Sequence, residues 1–189
     1  MNTNPNMPEH LYEKTISSQS IYEGRIIKVK VDEVLLPNGN TAKREIVHHQ
    51  GAVAVIPLTD DGKLVAVRQF RKPLEKVIVE IPAGKLEPGE DPLSCAKREL
   101  EEETGYTAVH YEKLSAFYTS PGFADELLHV YVAKGLVKGE SRPDEDEFVD
   151  LLELTLEEAH ELHQAGEICD AKTVVALFHW ENQMLRARG

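Results

Sequence analysis

Along residues 20–49, Ile26, Val29, Val31 and Val34 mix with polar residues, and the chain then turns at Leu35-Leu36-Pro37-Asn38-Gly39-Asn40. Asn-Gly suits the positive φ angles of a tight turn. Two β-rich runs around it predict a hairpin, with residues 42–48 returning antiparallel. A boundary is expected at residues 49–51, separating an N-terminal β-hairpin region, 1–49, from a main domain, 50–189. Two apolar runs follow, residues 52–56 and 63–67, with Asp60-Asp61-Gly62 between them, and they predict a second hairpin. Residues 77–81 read as a short strand, which Pro82-Ala83-Gly84 ends before a polar loop and a helix. Residues 114–118, 127–132 and 148–154 read as further strands. Two helices finish the chain. One opens with the capping box Thr155-Leu156-Glu157-Glu158. The other starts at Asp170 with Val174, Leu177, Phe178 and Leu185 on one face. Strands and helices mixed in this way, with several hairpins, predict an α/β layered fold with a mixed sheet.

Composition narrows the class. A chain of 189 residues with 41% hydrophobic residues suffices for one packed domain, or one domain with a small appendage. No apolar run reaches the roughly 18 residues of a membrane helix. The polar N-terminus has no apolar segment of the kind a secretory signal carries. Cys95 and Cys169 are too few for a disulfide scaffold and match no zinc spacing, so a cytoplasmic location is expected. With 33 acidic against 21 basic residues the net charge is −12. Nucleic acid is therefore a poor partner, and an anionic small molecule needs cations to screen the acids.

Residues 84–106 decide whether those acids are scattered or aimed. Asp91 is a good N-cap, Pro92 suits the first turn and Gly105 suits a left-handed stop, so a helix is predicted over about 92–104. With Glu99 at zero on a wheel of about 100° per residue, Glu102 falls about 60° to one side and Glu103 about 40° to the other. Leu93, Ala96 and Leu100 form the adjoining apolar stripe. Like charges at i,i+3 and i,i+4 cost roughly 0.2–0.5 kcal/mol per pair, and the helix C-terminus disfavours anions. A divalent cation removes the conflict, and oxygen-only ligands favour Mg²⁺ or Mn²⁺. A solvated acidic face is the alternative for an isolated Glu run. The glycine loop and the capped start at fixed spacing weigh against it. Cys95 lies on the carboxylate side, but neighbouring acids oppose a reactive thiolate, so it reads as packing. Trp180 reads as core or interface, and the eight histidines show no ligand-like clustering.

The stretch resembles the Nudix hydrolase signature G-x5-E-x7-R-E-U-x-E-E-x-G-U, in which U is a bulky apolar residue. Gly84, Glu90, Arg98, Glu99, Leu100, Glu102, Glu103 and Gly105 match, and Tyr106 at the last position is a mild departure. The resemblance implies a Nudix α/β/α sandwich and Mg²⁺-dependent hydrolysis of a nucleoside diphosphate linked to another group. It implies that Glu99, Glu103 and the Ala83 carbonyl are metal ligands and that Glu102 is an additional or water-linked catalytic carboxylate. Gly84, Glu90, Arg98 and Gly105 then have structural roles in the motif, with Arg98 and Glu90 pairing to orient the loop.

The wider chain is similar to the ADP-ribose pyrophosphatase subfamily. Pro121, with Gly122 after it, stands 15 residues past Tyr106, Gln69-Phe70-Arg71-Lys72-Pro73 precedes the motif, and an N-terminal β unit is present. That likeness implies hydrolysis of ADP-ribose to AMP and ribose 5-phosphate, two or three Mg²⁺ ions, and a homodimer with a swapped N-terminal region. Arg71 is the candidate for gripping the diphosphate or terminal ribose, since a planar guanidinium binds such oxygens bidentately. Arg44 and Glu45 match positions at the adenine end. In the acidic stretch Arg142-Pro143-Asp144-Glu145-Asp146-Glu147, Glu147 aligns with a metal ligand and Glu145 with the general base, their roles being exchangeable and Asp146 an alternative. Other ADP-sugars or sugar nucleotides are the alternative substrates. A non-catalytic nucleotide sensor is disfavoured, because the Glu set is complete and no basic patch follows the core.

Overall fold

Residues 7–139 and 148–187 are described by the structure, a computed structural model. The chain forms two units, Met1–Gln50 with Tyr118–Leu127, and Gly51–Phe117 with Leu128–Gly189.

The first unit is a three-stranded antiparallel sheet in the order β1 (Lys14–Glu23), β2 (Ile27–Leu35), β3 (Thr41–His49). The β2–β3 hairpin forms where Asn-Gly predicted it. Gly39 takes φ 84°, and the Leu36 N–H donates to the Asn40 carbonyl at 2.8 Å. β1 was not foreseen as a separate strand. Its ten residues are all exposed, so no buried face imposes a period-2 pattern. Residues 118–127 are stitched to β3. The Val47 N–H donates to the Phe123 carbonyl at 2.8 Å, and the Asp125 N–H donates to the Val47 carbonyl at 3.1 Å.

The second unit holds two sheets and three helices. One sheet has the order β7 (Ala83–Lys85), β4 (Ala52–Pro57), β9 (Leu127–Lys138), β8 (Tyr106–Tyr118). The other has the order β10 (Val149–Leu154), β5 (Leu64–Arg71), β6 (Lys76–Glu80). All six residues of β4 are buried, and the strand runs parallel to β9 and antiparallel to β7. A continuous apolar strand of this kind needs cover on both faces, and alternation along β4 supplies it. Val53 and Val55 pack with Cys95, Ala96 and Leu100 of α1 (Pro92–Thr104). Ala52, Ala54 and Ile56 pack with Ala159 of α2 (Leu156–Gln164) and Leu177 and Trp180 of α3 (Ala171–Ala187). Helices therefore cover both faces of the β layer, the expected α/β/α sandwich with a mixed sheet.

Two expectations are corrected. The runs at 52–56 and 63–67 are not a hairpin. Both edges of β4 are taken by β7 and β9, and β5 lies in the other sheet, so the Asp60-Asp61-Gly62 turn carries the chain between sheets. Past the end of the first run an isolated antiparallel bridge, Leu58 to Leu64, and a Thr59 N–H bond to the Lys63 carbonyl at 2.9 Å close the turn. The inward face of α3 is Thr173, Ala176, Leu177 and Trp180, with Val174 half-buried, while Phe178 and Leu185 are exposed. Every one of these residues fits a 3.6-residue period, and the choice of stripe was settled by what α3 packs on.

The capping box at α2 forms as read. The Thr155 Oγ1 accepts from the Glu158 N–H at 3.2 Å, and the Glu158 carboxylate accepts from the Thr155 N–H at 2.8 Å. Among the described residues no helix is long and apolar enough to cross a membrane.

Candidate active site

The site is built on α1 and the loop before it. The Asp91 carboxylate accepts from the Ser94 N–H at 3.0 Å. At the other end Gly105 takes φ 72° and donates its N–H to the Glu101 carbonyl at 2.8 Å. With both ends fixed and Ala96 and Leu100 wholly buried, the angular positions of the glutamates are set.

Glu99 and Glu103 both reach the Ala83-Gly84 segment. A Cβ placed on Gly84 would lie 1.8 Å from the Glu99 Cδ and 1.9 Å from its Oε1. Gly84 is thus required by space, since the carboxylate of Glu99 occupies the volume a side chain would fill. Glu103 is 5% exposed, and its Oε2 accepts from the Ala83 N–H at 3.2 Å. A carboxylate so buried needs donors or cations around it.

Arg98 is the hub that joins loop to helix. Its Nε and Nη2 donate to the two Glu90 oxygens at 3.1 Å each, a bidentate pair. Its Nη1 donates to Glu99 at 2.8 Å and to Glu102 at 2.9 Å. The hydrogen bonds from Arg98 hold the Glu90 carboxyl far below its ordinary value, at about 2, against an opposing push from burial. The same bonds raise the Arg98 pKa further. So Arg98 does more than pair with Glu90, because it also donates to two of the three signature glutamates of the helix, Glu99 and Glu102. Among the described residues no three His, Cys, Asp or Glu side chains converge as a ready metal cage. Glu99 and Glu102 are turned onto Arg98 and Glu103 onto the Ala83 N–H. Cys95 is buried among α1 core residues, and burial, with help from Glu90, pushes its thiol up to about 12. It is a packing residue. Tyr106, 6% exposed, donates its hydroxyl to Glu153 at 2.6 Å.

Arg71 ends β5, and its Nε donates to Glu80 at 2.5 Å. Glu80, 3% exposed, also accepts from Lys172, which in turn donates to Asp170 at 2.9 Å. Sequence reasoning missed Glu80, Lys172 and Asp170. The only signal was one carboxylate in the apolar run Val77-Ile78-Val79-Glu80-Ile81, whose partner lies 92 residues away.

Four further candidates belong to the first unit. Arg44 and Glu45 sit on β3 of the first unit. The Arg44 guanidinium grips Glu13 with contacts of 2.8 and 2.5 Å, and Glu45 is exposed. Pro121 and Gly122 form a turn in the same unit, capped by the Ala124 N–H on the Ser120 carbonyl at 2.9 Å. Gly122 has no positive φ and open space around a built Cβ, so neither backbone nor packing demands glycine there. Glu145, Asp146 and Glu147 lie outside the described residues.

Comparison with known proteins accords with this architecture. The family model described as the NUDIX domain matches residues 48–177, and the nucleoside diphosphate sugar hydrolase N-terminal domain matches residues 13–47. The chain belongs to the Nudix family. It is 59% identical over 169 residues to an ADP-ribose pyrophosphatase of Bacillus subtilis (strain 168), covering 88% of this chain and 91% of that protein. It is 60% identical over 173 residues to a methanol dehydrogenase activator of Bacillus methanolicus, covering 90% and 94%. A solved structure of an ADP compounds hydrolase superposes with a TM-score of 0.81 at 23% identity, covering 94% of this chain and 96% of that one, which shows the shared fold.

Proposed function

We propose that this protein is a divalent-metal-dependent hydrolase that cleaves the pyrophosphate bond of ADP-ribose, giving AMP and ribose 5-phosphate. The observation that carries the reading is the convergence of Glu99 and Glu103 on the Ala83-Gly84 segment. The likeness to the Bacillus subtilis enzyme supports the substrate.

The donor set fits a hard cation. Glu99 and Glu103 offer carboxylate oxygens beside a backbone segment, and such oxygens suit Mg²⁺ or Mn²⁺. Arg98 donates to Glu99 and Glu102, so positive charge is accommodated beside both carboxylates. In this reading Glu99, Glu103, the Ala83 carbonyl and Glu147 hold two or three ions, with Glu102 assisting through water. When bound, the metal neutralises the diphosphate and makes water more acidic. Glu145 takes the proton of the attacking water. Arg98 keeps Glu99 and Glu102 from splaying apart, and Gly84 leaves Glu99 the space it needs. Arg71 grips the diphosphate. Arg44 and Glu45 meet the adenine end, and Pro121 and Gly122 line the substrate. Residues 1–49 also build a homodimer by exchange between two copies, and residues 50–189 carry the chemistry, in the cytoplasm.

The test is product analysis. The protein is incubated with ADP-ribose and Mg²⁺ beside a panel of ADP-sugars and other sugar nucleotides, and products are resolved by chromatography. AMP formed fastest from ADP-ribose, abolished by chelator, is expected. Faster turnover of another sugar nucleotide would replace the substrate while keeping the class. A second reading, activation of a methanol dehydrogenase, rests on the Bacillus methanolicus relative. Stimulation of methanol oxidation in a coupled assay, measured with and without Glu99→Gln, tests it.

A further inference from the structure

The proposed site leaves one charged group unexplained. Glu80 is almost wholly buried, yet it carries a carboxylate between two cationic side chains, Arg71 and Lys172. Lys172 also holds Asp170, so the four charges balance. A buried ion pair offers little net stability over well-packed apolar residues of the same volume. Its effect on position is a better account of its presence here.

The strand register shows what is positioned. In the β5–β6 ladder Arg71 stands opposite Lys76, and Glu80 stands opposite Val67. Arg71 and Glu80 lie on one face of the ladder but four positions apart. The Arg71 side chain therefore bends back along the ladder to meet Glu80. Only its Nε is used there. Among the described residues the four N–H groups on Nη1 and Nη2 donate to no protein acceptor, and these are the groups that bind two oxygens of a phosphate. The buried Glu80 is in turn fixed by Lys172 at the start of α3. Burial works against the Arg71 charge, and Glu80 outweighs it with help from Glu103 and Asp170. Arg71 thus feels the field of the site carboxylate Glu103.

We infer that Glu80, braced by Lys172, is a positioning residue that locks the Arg71 guanidinium with its two terminal amino groups turned to the diphosphate of the substrate. The inference rests on the proposed ADP-ribose hydrolysis and deepens it. Glu80 touches no reacting atom, so it acts on binding before chemistry.

The experiment is a double-mutant cycle on the full-length protein, reading KM and kcat separately for ADP-ribose with saturating Mg²⁺. Glu80→Gln is expected to raise KM about tenfold with kcat within about threefold, the pattern of lost uniform binding. In the Arg71→Ala background the same change is expected to leave KM unaltered. Guanidinium ion at millimolar concentration is expected to restore part of the activity of Arg71→Ala while Glu80 is present, and none in Arg71→Ala/Glu80→Gln. If Glu80→Gln does not fold, Glu80→Asp carries the test, since it keeps the charge and shortens the reach. Unchanged KM in Glu80→Gln or Glu80→Asp overturns the inference, as does equal guanidinium rescue with and without Glu80. Absence of ADP-ribose hydrolysis by the wild-type protein overturns the proposed function and the inference together. Normal wild-type hydrolysis with an indifferent Glu80 overturns the inference alone.

Discussion

Replacing Gly84 by alanine adds one carbon at the point where the loop meets the helix carboxylates. The new Cβ would sit 1.8 Å from the Glu99 Cδ, whereas ordinary contact begins at 3.4 Å. The carboxylate must retreat by about 1.6 Å, because the backbone of β7 is held by its pairing with β4. A movement of that size breaks the 2.8 Å contact with Arg98 and shifts Glu99 relative to Glu103, the pair proposed to hold the metal. A misplacement near 1 Å in a catalytic group costs about 10²-fold in rate, or about 2.7 kcal/mol of transition-state stabilisation. Stability should change little. Gly84 has no positive φ, and a compatible Gly→Ala change gains about 0.4–1 kcal/mol through the unfolded chain, which offsets the cost of moving a side chain. The assay is AMP release from ADP-ribose with Mg²⁺, alongside thermal unfolding. A kcat/KM within threefold of wild type at unchanged Tm would refute the idea that the Gly84 space belongs to Glu99.

Further outcomes follow from other contacts. In Arg98→Met the loss of the Glu90 pair should depend on pH. Glu90 has a folded-state pKa lowered from 4.5 to about 2, so the folded state holds its proton less tightly than the unfolded one. The stability of the pair is complete above 4.5 and disappears as pH falls toward 2. Denaturant unfolding should therefore show a gap between wild type and Arg98→Met at pH 7 that narrows by pH 3, and a constant gap would count against the pair. Thr155→Ala removes the capping box and should cost about 1 kcal/mol, lowering Tm by about 2–4 °C with kcat unchanged. Trp180→Ala empties a site that is 1% exposed and should cost about 3–5 kcal/mol, read by denaturant titration; a loss under 1 kcal/mol would mean α3 is not anchored there.

Local chemistry was legible in the sequence, and long-range pairing was not. Asp91 and Gly105 marked the ends of α1 because capping is decided within a few residues, and the observed helix is the predicted one. The Asn38-Gly39 turn and the Thr155 capping box were readable for the same reason. The carboxylate face of α1 followed from helical geometry alone. That Arg98 would reach Glu99 and Glu102 as well as Glu90 did not, since three acceptors within reach share one donor in a way that depends on rotamers. The apolar runs of β4 and β5 were found, but nothing local tells a strand which edge it joins. Parallel pairing with β9, over 70 residues later, displaced the expected hairpin. Glu80 and Lys172 meet only because β6 and α3 pack together, and Arg44 meets Glu13 across 31 residues.

Calorimetric titration of Mn²⁺ into the wild-type protein and into Glu99→Gln, with AMP formation from ADP-ribose measured on the same samples, tests most directly whether the crowded glutamates of α1 hold a working cation. Saturable uptake by the wild type is predicted, weakened at least about tenfold in Glu99→Gln, with AMP formation lost in parallel. Equal affinity and equal AMP formation in the two proteins would contradict it.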